Sequence, residues 1–297
     1  MLRRRLLSAC LLLLALPALA VEDPLTELWP TDTGLFFSYE YDYASAMFNR
    51  YAFGPAYLEF EGPTTVPGGD AWTLAGATPA IAPISGVPQP GLLRYLWAAR
   101  PDLRAKIAAR PTADRDQFWY PYFLHTGSFR NAGDRLEMWQ DGWDHSTWTY
   151  VAAPVVGGMS FTHQLVPELT DDVFLHGVIT DMNAVADTPA GIFTDCVKVS
   201  YLIDLGVSVA TNEMGEVVAT THGEVAGYVI FAPRVGPVEL FEAMTPLVWV
   251  DCGDEPCGEE TLYWHVGEVG EVQTLLLSEM PVGNDDQTWS ELKRMYR

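Results

Sequence analysis

The sequence has little positive charge, and this shortage limits the partners that the protein can bind. It contains 17 Lys and Arg residues against 39 Asp and Glu residues, so its formal net charge is −22 at pH 7. Such an acidic surface repels the phosphates of nucleic acid and the head groups of anionic lipid, so we expect neither as a partner. Because 48% of the residues are hydrophobic and 12% aromatic, the chain is also unlike a disordered protein.

The common motifs of catalytic and metal sites are missing as well. The sequence has no H-E-x-x-H zinc motif, no G-x-S-x-G nucleophile elbow, no P-loop, no dinucleotide fingerprint and no EF-hand loop. The six histidines are scattered along the chain. We therefore predict no cofactor, no metal and no enzymatic activity. A hydrolase of an unfamiliar type is the alternative, and it would require a histidine–carboxylate pair in a cleft.

The longest apolar run lies at the N-terminus and is short for a membrane span. Residues 6–20 follow Arg3, Arg4 and Arg5 and end in Ala18-Leu19-Ala20, which is typical of a secretory signal peptide cleaved after Ala20. Cys10 lies in a stretch that resembles a lipoprotein processing box, but only four residues separate it from Arg5. We therefore favour cleavage over lipidation of Cys10, and we predict an exported protein, periplasmic or extracellular. The predicted mature chain, residues 21–297, contains no candidate transmembrane segment.

Cysteines are few, and three remain in the predicted mature chain: Cys196, Cys252 and Cys257. Cys252 and Cys257 are separated by a Gly-Asp-Glu-Pro stretch that can turn tightly, so we predict a disulfide between them. Cys196 is then the odd thiol. It lies in a strand-like segment and is expected to be buried, with its direction left open.

Strand patterns dominate what is present. In "FFSYEYDY" Phe37, Tyr39, Tyr41 and Tyr43 alternate with polar residues, which predicts a half-buried strand. "YAFGPAYLEFEG" predicts a second strand that breaks at Gly54-Pro55. From Asp134 onward we expect hairpins, with turns near Asp141-Gly142, Asn212–Gly215 and His222-Gly223. The fold class predicted is therefore mainly β: an antiparallel curved sheet or half-barrel with one or two short helices packed against it.

One insertion interrupts this single β-rich domain, at about residues 62–129. Residues 62–91 carry six prolines and several glycines, which predicts a long loop. "PGLLRYLWAARPDLRAKIAARP" then predicts a helix that Pro101 breaks or kinks and Pro111 ends. Its basic residues are interpreted as a solvated face, with a docking or gating element as the alternative. A second short helix is expected in the tail, after Asp285 or Asp286.

Two strand segments resemble a family of exported bacterial proteins. "TPAGIFTDCVKV" is similar to a PAG-x-F-x-DC-x-KV strand, and "YVIFAPRVGPVELFE" is similar to the strand that follows it in that family. On these motifs the chain resembles TapB-like and LolA-type relatives of periplasmic lipoprotein carriers, of unassigned function. The resemblance implies a half-open antiparallel sheet closed by short helices over an apolar cavity, with no established catalytic residues.

The excess of aromatic residues and this resemblance together predict the function. We expect a non-enzymatic protein that binds a lipid or another apolar or amphipathic small molecule on the concave face of the sheet. The residues expected to line the ligand are Tyr39, Tyr41, Tyr57, Trp97, Trp119 and Phe123. The alternative is a secreted or surface structural protein that contacts a partner through exposed aromatic residues. The sequence does not define the oligomeric state.

Overall fold

The computed structural model describes residues 24–45, 50–77, 96, 100–109, 127–139, 144–211, 213–245 and 271–282. Among these residues, none of the helices is both long and apolar enough to cross a membrane. The predicted signal peptide, the predicted disulfide and the predicted tail helix all lie outside the described residues.

Within the described residues the chain forms two short α-helices, one 3-10 turn and twelve strands. The helices are α1 (Pro24–Leu28) and α2 (Arg104–Ala108), and the 3-10 turn is Pro101–Leu103. The strands are β1 (Phe36–Ser45), β2 (Arg50–Val66), β3 (Gly69–Ala77), β4 (Gly127–Asn131), β5 (Arg135–Trp139), β6 (Trp148–Ala152), β7 (Ser160–Gln164), β8 (Phe174–Thr188), β9 (Gly191–Thr211), β10 (Val217–Ala232), β11 (Gly236–Thr245) and β12 (Glu271–Val282).

All twelve strands belong to one antiparallel sheet in the order β6-β5-β4-β3-β2-β1-β12-β11-β10-β9-β8-β7. Strands that are consecutive in sequence pair with one another, except β6 and β7, which are the two edges, and β1 pairs with β12 to join the two halves. The sheet curls so far that its edge strands, β6 and β7, come into contact. The result is a nearly closed, barrel-like sheet, and the fold class predicted from the sequence is confirmed.

Strand β1 shows why these residues form the inner and outer faces. Its aromatic side chains Phe37, Tyr39, Tyr41 and Tyr43 are all buried, whereas Glu40 and Asp42 between them are exposed. Successive side chains of a strand point to opposite faces, so the period-two pattern places every second residue inside the sheet. Burying four aromatic rings from a single strand removes a large apolar area from water, which is the main stabilising contribution.

One end of the barrel-like sheet is filled by aromatic side chains. Trp29 follows α1, and its ring centroid lies 4.5 Å from that of Phe129, 5.1 Å from that of Tyr150 and 5.9 Å from that of Phe231. Phe129, Tyr150 and Phe231 belong to β4, β6 and β10, and the Trp29 ring packs between them. We call this the aromatic end of the sheet.

The opposite end, where β11 ends and β12 begins, is called the rim. Here Arg100 joins the helical segment to the sheet. Its Nη1 donates to both carboxylate oxygens of Asp172 at 2.9 Å and to the carbonyl oxygen of Leu205 at 3.0 Å. Its Nε and Nη2 donate to Asp102 at 2.9 and 2.8 Å. The backbone of Gly206 leaves space for the guanidinium, since a Cβ there would lie 2.4 Å from Arg100 Nη1.

The helical segment therefore behaves partly as predicted. A 3-10 turn begins at Pro101, in agreement with the expected break, and α2 follows it with Ile107 fully buried. The prediction that the basic residues of this segment form a solvated face is wrong for Arg100, whose side chain is 4% exposed in an ion-pair network.

Three local predictions are corrected by the structure. Strand β2 does not break at Gly54-Pro55 but continues through it, with Gly54 at φ 153°. The pairing of β2 with β3 begins at Tyr57, two residues after Pro55. Proline lacks an N–H, and at this position the described ladder to β3 has not begun. Residues 62–66 and 69–77 are strands rather than loop. His222-Gly223 is a register shift inside β10, not a turn.

Candidate functional site

A buried group of polar side chains crosses the inner face of the sheet near the rim. The Tyr41 hydroxyl donates to Gln273 Oε1 at 3.0 Å, and Gln273 Nε2 donates to Glu242 Oε1 at 3.3 Å. The Tyr201 hydroxyl donates to the other carboxylate oxygen, Glu242 Oε2, at 3.0 Å. Tyr41, Gln273 and Glu242 are 0% exposed. These four residues, Tyr41, Tyr201, Glu242 and Gln273, form what we call the polar cluster.

The strand register explains why these side chains meet. Tyr201 of β9 lies opposite Gly227 of β10, and Gly227 lies opposite Glu242 of β11. Glu242 in turn lies opposite Gln273 of β12. Residues directly opposite one another in a sheet share a face, so the register produces one lateral row.

Gly227 makes the contact between Tyr201 and Glu242 possible. A Cβ at Gly227 would lie 2.5 Å from both Cζ and Oη of Tyr201, so the phenol ring occupies the space that a side chain would fill. The tyrosine therefore reaches across one strand to the carboxylate on the next. Because a glycine weakens a strand interior, its presence here indicates that this close approach is needed.

The polar cluster lies just inside the rim. Glu242 is three residues from the end of β11 at Thr245, and Gln273 is two residues from the start of β12 at Glu271. The aromatic end, packed around Trp29, lies at the other end of the same strands. Met244, which is 1% exposed, is the next inward residue of β11 between Glu242 and the rim.

The electrostatics of the polar cluster keep the Tyr201 hydroxyl protonated. Burial, together with the carboxylate of Glu242, raises the pKa of the Tyr201 hydroxyl well above its ordinary value. Tyr201 is therefore a hydrogen-bond donor to Glu242 at all physiological pH values. A buried carboxylate is costly unless hydrogen bonds compensate it, and Tyr201 and Gln273 supply such bonds.

The residues predicted to line a ligand do not all lie together. Tyr39 and Tyr41 are both buried on the inner face, where the Tyr39 hydroxyl donates to the carbonyl oxygen of Pro237 at 3.0 Å. Tyr57 lies on the outer face, opposite Ser38, with its ring stacked on Phe36 at 5.5 Å. The side chains of Trp97, Trp119 and Phe123 lie outside the described residues, as do the sulfur atoms of the predicted Cys252–Cys257 disulfide.

Cys196 is fully buried, as expected for the odd thiol. Val197 and Val199 are buried on the inner face, so Cys196 points to the opposite face of β9. Ala184 lies opposite it in the β8–β9 hairpin, whose tip reaches β12 through a hydrogen bond from Ala190 N to Leu277 O at 3.0 Å. Burial raises the pKa of the thiol, so Cys196 is poorly suited to act as a nucleophile.

Sequence reasoning missed Glu242, Gln273 and Tyr201 as site residues, although one signal was available. In "GPVELFEAMT" the inward positions are Val238, Leu240, Glu242 and Met244, so a period-two reading would have placed one acid among apolar residues. Gln273 and Tyr201 carry no such signal, because their contacts depend on pairing between strands that are distant in sequence.

Histidine–carboxylate pairs, which the hydrolase alternative requires, are present outside the polar cluster. His145 Nδ1 lies 3.0 Å from Glu168 Oε1, and His222 Nε2 lies 3.4 Å from Asp204 Oδ1. All four side chains are partly exposed to solvent. Such pairs also occur as structural ion pairs, and we assign no reaction to them.

Comparisons with known proteins place the chain beside two solved structures. One, from Bacteroides fragilis NCTC 9343, is described as an exported protein with a YmcC-like fold; it has 10% identity, a TM-score of 0.35, and a match covering 84% of this chain and 97% of that chain. The other, described as a lipoprotein of Parabacteroides distasonis ATCC 8503, has 13% identity and a TM-score of 0.35, covering 85% of this chain and 97% of that chain.

No family model matches the chain, and no curated protein matches it. With TM-scores of 0.35 we take neither a fold family nor a role from the two solved structures. The resemblance to TapB-like and LolA-type proteins stays a prediction from the sequence motifs.

Proposed function

We propose that this chain is an exported, non-enzymatic binding protein that takes an apolar or amphipathic ligand on the inner face of the sheet. The polar part of the ligand is bound by the polar cluster, and its apolar part lies among the inward side chains toward the rim. The export part of the proposal rests on the signal peptide predicted for residues 1–20.

The observation that carries the proposal is the position of Glu242. A fully buried carboxylate, bonded to Tyr201 and Gln273, lies three residues from the rim on a strand whose other inward side chains, Val238, Leu240 and Met244, are apolar. Binding sites for small molecules are typically concave and apolar with a few polar groups that fix orientation. Buried polar groups of this kind cost stability, so they are candidates for a functional role.

The polar cluster also limits how a ligand is held. Each residue of the polar cluster already makes a hydrogen bond within it. A ligand must therefore replace one of these hydrogen bonds in order to bind here. The carboxylate oxygens accept hydrogen bonds, and the ligand suited to them carries an N–H or O–H donor beside its apolar part.

The proposal is tested by fluorescence titration with N-phenyl-1-naphthylamine, an apolar probe that has a single N–H donor. We expect the wild type to bind the probe. Glu242→Gln replaces one of the two acceptor oxygens by an amide nitrogen, which cannot accept, and it is expected to weaken binding by about five- to tenfold. Glu239→Gln is the matched control, since Glu239 lies on the same strand but bonds Tyr228 on the outer face at 2.7 Å.

Tyr201→Phe provides a second variant that keeps the ring and removes one donor to Glu242. Because this removes one hydrogen bond that competes with the ligand for Glu242 Oε2, we expect the variant to bind the probe more tightly than the wild type by about threefold or more. Circular dichroism of each variant reports on folding. Absence of probe binding by the wild type, or equal affinities in the wild type, Glu242→Gln and Tyr201→Phe, would contradict the proposal.

A second candidate function, contact with a partner through exposed aromatic residues, is favoured by one observation. Tyr51 is 67% exposed and Phe53 is 61% exposed, side by side on the outer face of β2. Exposed aromatic side chains of this size are enriched in protein interfaces. Sedimentation of the wild type and of the double variant Tyr51→Ser/Phe53→Ser tests self-association through this pair. Loss of a dimer in the variant would favour the second function, and identical monomers would count against it.

A further inference from the structure

The two edges of the sheet meet at a seam between β6 and β7. These strands end the order of the sheet on its two sides, and no ladder joins them among the described strands. They nevertheless lie side by side, because the sheet curls until its edges touch. The other strand pairs are joined by backbone hydrogen bonds, whereas β6 and β7 are joined across the seam through side chains.

His163 of β7 bridges the seam. Its Nε2 lies 3.0 Å from the carbonyl oxygen of Ser146, and its Nδ1 lies 3.3 Å from the hydroxyl oxygen of Thr149 on β6. A carbonyl oxygen can only accept, so Nε2 carries the hydrogen, and Nδ1 of the neutral ring accepts from the Thr149 hydroxyl. Both hydrogen bonds cross from one edge of the sheet to the other.

The polar cluster lies directly behind the seam. Trp148, the neighbour of Thr149 on β6, packs edge-on against Tyr201 with ring centroids 5.2 Å apart. From the other edge, the ring of Phe161 covers Gly177, where a Cβ would lie 2.1 Å from Phe161 Cζ. Gly177 is opposite Tyr201 in the register. Separation of β6 from β7 would therefore uncover the Tyr201 side of the polar cluster.

We propose that His163 is a pH-sensitive clasp that holds this seam closed, and that its protonation opens a lateral path between β6 and β7 to the polar cluster. This use of the path rests on the ligand-binding function proposed above. The clasp itself is a property of the ligand-free protein.

Several charged or titratable groups surround His163. Glu137 and Arg135 of β5 are two of these groups. A third is His145, which precedes β6 and pairs with Glu168. Arg130 of β4 forms an ion pair with Glu137. Burial lowers the pKa of His163, and His145 and Arg135 act in the same direction. The hydrogen bond to Ser146 and the charge of Glu137 oppose this effect without reversing it.

The direction of the pH effect follows from this balance. In the open seam His163 is hydrated, and its pKa returns toward the ordinary value of about 6.5. The pKa of His163 is lower in the closed seam than in the open one. Opening of the seam is therefore accompanied by uptake of a proton below about pH 6.5 and by no uptake well above it. The open population is therefore expected to rise as the pH falls, by at most about tenfold per pH unit, until the closed form also takes up the proton.

Hydrogen exchange of the ligand-free protein, followed by mass spectrometry and corrected for the intrinsic pH dependence of exchange, measures opening. We expect peptides covering β6 and β7 to lose protection between about pH 7.5 and pH 5.5, by up to about tenfold per pH unit below 6.5. His163→Gln retains one donor and one acceptor without titrating, so its protection should not change with pH. His176→Gln is the matched control, because His176 bonds Thr162 on the neighbouring strand and not β6.

Thr149→Val is a second variant, which removes the partner of His163 Nδ1. It is expected to lower the protection of β6 and β7 already at about pH 7.5. Unchanged protection of the wild type over the whole pH range would overturn the clasp, and so would an undiminished pH response in His163→Gln. These measurements need no ligand. Failure of the probe titration would therefore overturn the binding function and leave the clasp standing, and the converse also holds.

Discussion

The ring of Tyr201 on β9 lies over Gly227 on β10, and its hydroxyl is 3.0 Å from Glu242 Oε2 on β11. The polar cluster depends on that close approach. Any side chain at position 227 would push the phenol ring away from the carboxylate, so the glycine and the tyrosine act as a pair.

Substitution of Gly227 by Ala is expected to destabilise the protein. The new Cβ would lie 2.5 Å from two atoms of Tyr201 and 2.7 Å from the carbonyl oxygen of Phe241. Overpacking of this kind costs about 1–3 kcal/mol, which urea denaturation measures as a lower midpoint. Gly62→Ala is the control, because nothing lies within 4 Å of a Cβ there, and a change smaller than about 0.5 kcal/mol is expected.

A double variant tests whether the cost of Gly227→Ala comes from the tyrosine ring. Tyr201→Ala removes the ring, so Gly227→Ala should cost less in that background than in the wild type. Independent sites would add, whereas residues in contact couple. Strict additivity of the two changes would contradict the contact between Tyr201 and Gly227.

Loss of Arg100 is expected to detach the helical segment from the rim. Arg100→Met removes the hydrogen bonds to Asp102, Asp172 and Leu205 O, and we expect it to lower the free energy of unfolding by about 2 kcal/mol. Arg234→Met is the control: its ion pair with Glu27 is largely exposed, and such pairs contribute at most about 1 kcal/mol. Equal effects of the two substitutions, compared by urea denaturation, would show that the Arg100 network does not anchor the segment.

Glu137 is expected to make the stability of the protein depend on pH in acid. Burial opposes its ionisation, but hydrogen bonds from Trp139, Arg135 and Arg130 outweigh burial and lower its pKa. The contribution is therefore complete above the ordinary glutamate pKa of about 4.3 and is lost as the pH falls through the lower pKa of the folded state.

Glu137→Gln is expected to lower the free energy of unfolding by about 2–3 kcal/mol near neutral pH, because two arginines lose a charged partner. The difference from the wild type should shrink below about pH 4.3, measured by urea denaturation at several pH values. Glu61→Gln, at an exposed position of β2, should show neither effect. A difference that stays constant down to about pH 2 would exclude the assigned role of Glu137.

Cys196 is expected to resist alkylation in the folded protein. Its thiol is buried and its pKa is raised by that burial, so little thiolate is available and reagents do not reach it. Peptide mapping after treatment with iodoacetamide should show Cys196 unmodified in the native protein and modified in urea. Rapid labelling of the native protein would contradict the burial of Cys196 within the β8–β9 hairpin.

The sequence predicted local patterns well and long-range contacts poorly, for a physical reason. Period-two alternation in β1 correctly placed Tyr39 and Tyr41 on the buried face. Prolines and glycines were misleading in residues 62–77, because Pro63 and Gly62 are accommodated in paired strands there. Propensity is a weak guide where the ladder to a neighbouring strand determines the backbone.

The polar cluster and the seam illustrate what sequence reasoning could not supply. Tyr41 and Gln273 are separated by 232 positions, and they meet only because β1 pairs with β12. The hydrogen bond between Thr149 and His163 depends on how far the whole sheet curls. Neither pairing order nor curvature is encoded in a short window of residues, so Arg100 and His163 had no local signature of their roles.

The central claim, that the inner face binds an apolar or amphipathic molecule at the polar cluster, is tested most directly by native mass spectrometry of the purified mature protein. We expect a bound small molecule on the wild type, with lower occupancy in Glu242→Gln and unchanged occupancy in Glu239→Gln. A wild-type protein that carries no added mass, including after incubation with N-phenyl-1-naphthylamine, would contradict it.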